Sequence, residues 1–133
     1  MALKTFGRYE IQRRLGGGGM GSIYLGKDPK IDRLVAIKIL RNDLETSNLQ
    51  ERFTREARAV GALSHPNIVT IFDYGEFEGA PFIVMEYIRG ETIAEIIRYK
   101  TPIRLQQKLI WLEQLCAGLA YAHETEPTEG PDT

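Results

Sequence analysis

Hydrophobic and polar positions along the chain switch between a strand-like and a helix-like period. From Tyr9 to Leu15 they alternate loosely and lead into a run of glycines. Ser22 to Lys27 (SIYLGK) is rich in β-branched and aromatic residues, so it reads as a strand, and the glycines become the tip of a hairpin. Asp28 to Arg33 is a turn around Pro29. Leu34 to Leu40 is a continuous apolar run broken only by Lys38, too short for a core helix and therefore a buried strand. Asn42 to Ser47 is polar and irregular. Leu49 to Leu63 then takes helical spacing, with Phe53, Ala57, Val60 and Leu63 on one stripe. Ser64-His65-Pro66-Asn67 stops it, because proline disfavours helical geometry in the residue before it. Ile68 to Tyr74 and Phe82 to Tyr87 are two further strands, with Gly75 to Pro81 as the loop between them. Thr92-Ile93-Ala94-Glu95 fits a capping box that opens a short helix to about Tyr99. Leu105 to about Glu124 is a long helix, apolar on most sides and so expected to be buried on most sides. The tail, Thr125 to Thr133, is polar and rich in proline and acid and reads as disordered. The predicted order is five strands with one helix inserted after the third, then two helices: an α+β chain without internal repeats.

Composition narrows this picture modestly. At 133 residues and 43% hydrophobic content, the chain is one domain's worth with a real core. A formal net charge of −1 gives no reason to expect nucleic acid or an acidic membrane surface as partner. The single cysteine, Cys116, cannot form an internal disulfide and fits a reducing compartment. Met1 to Arg14 has no apolar core of a signal peptide, and no apolar run approaches the length of a bilayer span. A soluble, cytoplasmic protein is the expectation.

The glycine run carries the chemistry. Five of the six positions from Gly16 to Gly21 are glycine. Glycine inside a strand costs about 0.5–1 kcal/mol relative to alanine, so this density points to bare backbone rather than packing. The usual reason is close approach of amide N–H groups to an anion, most often a phosphate. Gly16-x-Gly18-x-x-Gly21 also fits a dinucleotide fingerprint, but that motif needs a helix directly after the glycines and an acid about 20 positions on. Here a strand follows, and Lys38 occupies that region. Gly21 to Gly26-Lys27 has Walker A spacing, yet Asp28 stands where Ser or Thr should coordinate magnesium, and the segment is strand-like.

Lys38 interrupts an apolar strand, and an ammonium buried there without a partner would lose its charge. Alone it would read more simply as a lysine snorkelling from a sheet edge. Glu56 changes the balance: three residues after Phe53 and four before Val60, it falls on the apolar stripe of its helix and needs a counter-charge. Two charges pointing inward from neighbouring elements most simply pair, and such pairs hint at function more than stability.

LGGGGMGSIY, VAIK, the REA containing Glu56, HPNIV from His65 to Val69 and MEYIRG from Met85 to Gly90 together resemble the N-terminal lobe of a eukaryotic-type protein kinase, with the bacterial serine/threonine kinases as the nearest likeness. The resemblance covers about Tyr9 to His123. It implies a five-stranded antiparallel sheet with the family's helix C, followed by two helices. The implied organisation is an N-terminal extension over 1–8, the lobe over 9–88, the hinge exit with two helices over 89–124, and the tail over 125–133. Lys38 would hold the α- and β-phosphates of ATP and pair with Glu56. The backbone of Gly16, Gly17, Gly18, Gly19, Met20 and Gly21 would cover the phosphates. Leu15, Ile23, Ala36 and Val69 would line the adenine slot, Met85 would be the gatekeeper, and Glu86 and Ile88 would offer backbone hydrogen bonds. His65 and His123 sit where the family has them for structure, and with Cys116 they do not make a zinc site. Glu51, Arg52, Arg55 and Arg58 read as a solvated helix face.

The family's next motifs, the H-R-D catalytic loop and D-F-G, do not occur in the sequence. They carry the aspartate base and the ligands of Mg²⁺, so Mg²⁺ is expected only with ATP in a full-length parent. Two readings follow. The chain is the front part of a serine/threonine kinase cut before its catalytic loop, with protein substrates belonging to the parent and no catalysis by itself. Alternatively it is a stand-alone, non-catalytic module that binds nucleotide weakly or docks onto another kinase. In either case the helix from Leu105 to Glu124 would lack partner surface, so self-association through it or through the lobe is expected.

Overall fold

The computed structural model describes residues 4–18, 21–40 and 47–125. Strands β1 (Lys4–Phe6), β2 (Tyr9–Gly18), β3 (Gly21–Asp28) and β4 (Arg33–Leu40) precede helix α1 (Ser47–Gly61); β5 (Ile71–Phe77) and β6 (Ala80–Glu86) follow, then helices α2 (Ile93–Arg98) and α3 (Leu105–Glu124). The strands form one six-stranded sheet in the order β1-β2-β3-β4-β6-β5, and every neighbouring pair is antiparallel. The residues divide into two compact units. One comprises the chain up to Ser64 with Val69–Tyr87; the other comprises His65–Ile68 with the chain from Ile88 onward.

Strand alternation sorts the first unit's side chains onto two faces. Tyr9, Val35, Ile37, Phe82 and Val84 form the core of one face, joined by Phe6, Ile11, Ile39 and Phe77. Leu40 and Ile83 turn to the other face, where Phe53 and Ala57 of α1 cover them, with Ile71 and Met85 at the margin. The apolar stripe of α1 is thus satisfied against the sheet.

The sheet has one strand more than predicted. Lys4–Phe6, read from sequence as part of an extension, pairs with β2 from Lys4↔Ile11 to Phe6↔Tyr9. Gly7 makes the turn possible with φ +59°, and the Phe6 ring meets Phe77 and Phe82 edge-on at 4.9 and 5.3 Å. The loop expected over Gly75 to Pro81 is instead a two-residue turn. Phe77 pairs with Ala80, and Glu78 and Gly79 both take positive φ, at 51° and 80°. That backbone matches the right-handed twist of a hairpin, so both strands run up to the turn. β5 accordingly starts at Ile71 rather than Ile68.

In the second unit the predicted capping box is present. Thr92 Oγ1 accepts from the Glu95 N–H at 3.1 Å, and Glu95 Oε1 accepts from the Thr92 N–H at 3.4 Å. The 65–68 segment packs on α3: Asn67 Nδ2 donates to the Gln114 carbonyl at 2.9 Å, and the His65 ring lies 5.1 Å from that of Tyr121. Gly118 is the buried residue of α3, beneath Asn67 and Ile68. The burial expected on most sides of this helix is not seen: Leu105, Leu109, Leu112, Leu115 and Leu119 are 50–71% exposed. The tail read as disordered lies, beyond Thr125, outside the described residues.

Candidate nucleotide site

Register brings several of the predicted residues together. In antiparallel pairs, directly opposed residues share a face. Lys38 is opposed to Ile23 on β3 and to Ile83 on β6. Ala36 is opposed to Leu25 and to Met85. Ile23, Ala36, Lys38 and Met85 therefore share the sheet face that carries the α1 cluster. Leu15 is half-buried at a bulge in β2, between Arg14 and Gly16. Val69 is half-buried just before β5. Glu86 is exposed, and its N–H donates to the Thr70 carbonyl at 2.9 Å, while the Thr70 N–H donates back to Glu86 Oε2 at 3.3 Å. With its N–H committed, the Glu86 backbone can offer a ligand only its carbonyl oxygen. Ile88 belongs to the second unit and is 60% exposed. Gly19 and Met20 lie outside the described residues.

The glycines differ in what they do. Gly18 pairs with Gly21 across the hairpin. Gly16 and Gly18 are exposed with open space where a Cβ would stand, which suits bare backbone facing a ligand. Gly21 is buried, and a Cβ there would run into the carbonyl oxygen of Ile39 on β4. At Gly17 a Cβ would lie 2.7 Å from the Gly21 carbonyl oxygen. Packing therefore demands at least two of the five, a correction to the reading that packing plays no part. Gly26, outside the run, is a third case, its Cβ position 2.6 Å from Ile37 Cδ1.

The expected Lys38–Glu56 pair is not formed. Among the described residues the ion pairs are Arg8–Asp28 and Lys27–Asp32. Glu56 is exposed rather than on the buried stripe. The helical wheel explains this: at about 100° per residue, Ala57 falls about 40° to one side of Phe53 and Glu56 about 60° to the other. The face that meets the sheet is centred on Phe53 and Ala57, which are 3% and 5% exposed. Half-buried Lys38 instead has its Nζ 5.9 Å from the centroid of the Phe53 ring. Composition and spacing gave no warning of this aromatic neighbour, because Phe53 reads simply as core.

Electrostatics elsewhere tie the strands together. Buried Asp28 accepts from Arg8 at 3.1 Å and from the Lys30 N–H at 3.0 Å. The Tyr9 hydroxyl donates to Asp73 at 2.8 Å. Burial, and then this bond to a carboxylate, push the Tyr9 hydroxyl up to about 12. A cleft of about 420 Å³ lined by Phe6, Ile11, Tyr24, Ile39 and Phe77 contains none of the predicted site residues.

Comparison with known proteins agrees with the motif order. Residues 9–126 match the protein kinase domain family. The chain is 46% identical over 121 residues to the serine/threonine-protein kinase PrkC of Bacillus subtilis, covering 90% of this chain and 19% of that protein. It is 42% identical over 118 residues to the probable serine/threonine-protein kinase PknB of Lactococcus lactis, covering 87% and 19% respectively. The crystal structure of the Mycobacterium tuberculosis PknI kinase domain superposes with a TM-score of 0.76 at 30% identity, covering 91% of this chain and 50% of that one. The chain thus spans about a fifth of the curated relatives it matches, and it belongs to the protein kinase family.

Proposed function

We propose that this chain is the ATP-cradling, N-terminal part of a bacterial-type serine/threonine protein kinase. The observation that carries the reading is register: Lys38 shares one sheet face with Ile23, Ala36 and Met85, and Ile23, its partner on β3, lies two residues from the glycine tip of the β2–β3 hairpin. Lys38 would meet the α- and β-phosphates as a point charge. The N–H groups around Gly16 and Gly18, with no side chain in the way, would cover the phosphates. Ala36 and Ile23 would press on the adenine, Met85 would limit the depth of the slot, and the Glu86 carbonyl would accept from the base. Mg²⁺, when bound with ATP in the whole kinase, would neutralise developing charge on the phosphates. Protein serine and threonine hydroxyls would be the acceptors there. No H-R-D or D-F-G motif occurs in the sequence, so the aspartates that complete phosphoryl transfer are not assigned to these residues.

Calorimetric titration of the chain with ATP tests this. Weak binding that Lys38→Ala abolishes supports the reading. Binding unaffected by Lys38→Ala, or no binding at all, contradicts it.

A further inference from the structure

Among the described residues Lys38 has no acidic partner, yet its ammonium has a definite neighbour. The Phe53 ring lies 5.9 Å from Nζ, within the range at which an ammonium is drawn to an aromatic face. That ring is well held. Phe53 is 3% exposed and packs with Leu40, Ala57 and Ile83. The Tyr74 ring stands 6.4 Å from it, and the Tyr74 hydroxyl is hydrogen-bonded at 2.6 Å to Thr54, the next residue of α1. Tyr74 thus links β5 to the helix turn that carries Phe53. The Glu56 carboxylate sits on the same helix, about 60° around it and exposed.

We propose that Phe53 is a positioning residue that seats the Lys38 ammonium while no phosphate is bound. The inference rests on the reading of Lys38 as a phosphate-binding group. The pull of phosphate oxygens on the ammonium competes with that of the ring, so phosphate binding draws Lys38 away from Phe53. The ring keeps the charge partly satisfied beside an apolar cluster without an anion. The cost is a competing contact that weakens phosphate binding by a factor of about two to five.

The test uses the intact 133-residue chain with ¹³C-labelled lysine and inorganic tripolyphosphate as the probe. The Lys38 ε-CH₂ protons, assigned by their loss in Lys38→Ala, should be displaced upfield of the other lysines by the ring current. The displacement should vanish in Phe53→Leu and fade as tripolyphosphate is added. Phe53→Leu should bind tripolyphosphate about two- to fivefold more tightly. A spectrum of the unsubstituted chain in which no lysine ε-CH₂ is displaced upfield overturns the proposal, and that measurement needs no variant to fold. Unchanged or weaker tripolyphosphate binding by folded Phe53→Leu overturns it too. If the displacement is present and lost in Phe53→Leu while tripolyphosphate moves no resonance, the seat stands and the phosphate-site reading falls.

Discussion

The Tyr9 hydroxyl is buried and donates to Asp73, so its loss should be felt across strands far apart in sequence. Removing it in Tyr9→Phe leaves Oδ2 of half-buried Asp73 without that donor, while Oδ1 keeps the Tyr74 N–H, at a cost of about 1 kcal/mol at neutral pH. The folded state holds Tyr9 protonated up to about 12, against 10.0 for an ordinary tyrosine. A group raised on folding contributes fully below its unfolded value, so this contribution is intact below about pH 10 and is lost as pH rises toward about 12. Denaturant titrations across that window should show the parent chain losing stability faster than Tyr9→Phe; parallel curves would refute the assignment. At this scale the sequence was uneven as a guide. Lys38 stood out because a charge within an apolar strand demands a reason. Glu56 misled, because spacings of three and four place a residue near a stripe but do not say on which flank the sheet lies. The ring of Phe53 close to Lys38 left no trace in the pattern, since only the packed helix sets that distance.

The β2–β3 hairpin combines two requirements that the glycine run alone does not separate. Gly21 lets β3 lie against β4, whereas Gly16 and Gly18 face open space. Gly21→Ala should therefore destabilise the chain by about 1–3 kcal/mol through overpacking against the Ile39 carbonyl. Gly16→Ala should change stability by no more than about 0.5 kcal/mol. Thermal unfolding of the two variants side by side checks this, and equal effects would contradict it. Element types and order were legible because β4 is a nearly unbroken apolar run, α1 has a strong helical period and α3 is a long apolar stretch. What escaped was short or hidden by turn residues. β1 has three residues, held by a glycine turn and the Phe6 contacts rather than by any run of its own. Gly75 and Pro81 suggested a long loop, although the alternation of half-buried and exposed positions continues through Phe77.

For the molecule as a whole, the long helix is the open account. Leu109, Leu112, Leu115 and Leu119 of α3 are each at least half exposed, and among the described residues no helix is long and apolar enough to cross a membrane. Such a surface favours association. Light scattering at tens of micromolar should show species larger than a monomer, and Leu112→Glu with Leu115→Glu should shift them toward monomer. A monomeric parent chain would exclude association through this helix. The central claim, an ATP cradle on the α1-facing side of the sheet, is tested most directly by mapping ATP onto the assigned amide and methyl resonances. The account predicts shifts concentrated at Gly16, Gly18, Ile23, Ala36, Lys38 and Met85, with Ile37, Phe82 and Val84 on the opposite face little changed. Shifts centred on that opposite face, or none with ATP in large excess, would contradict it.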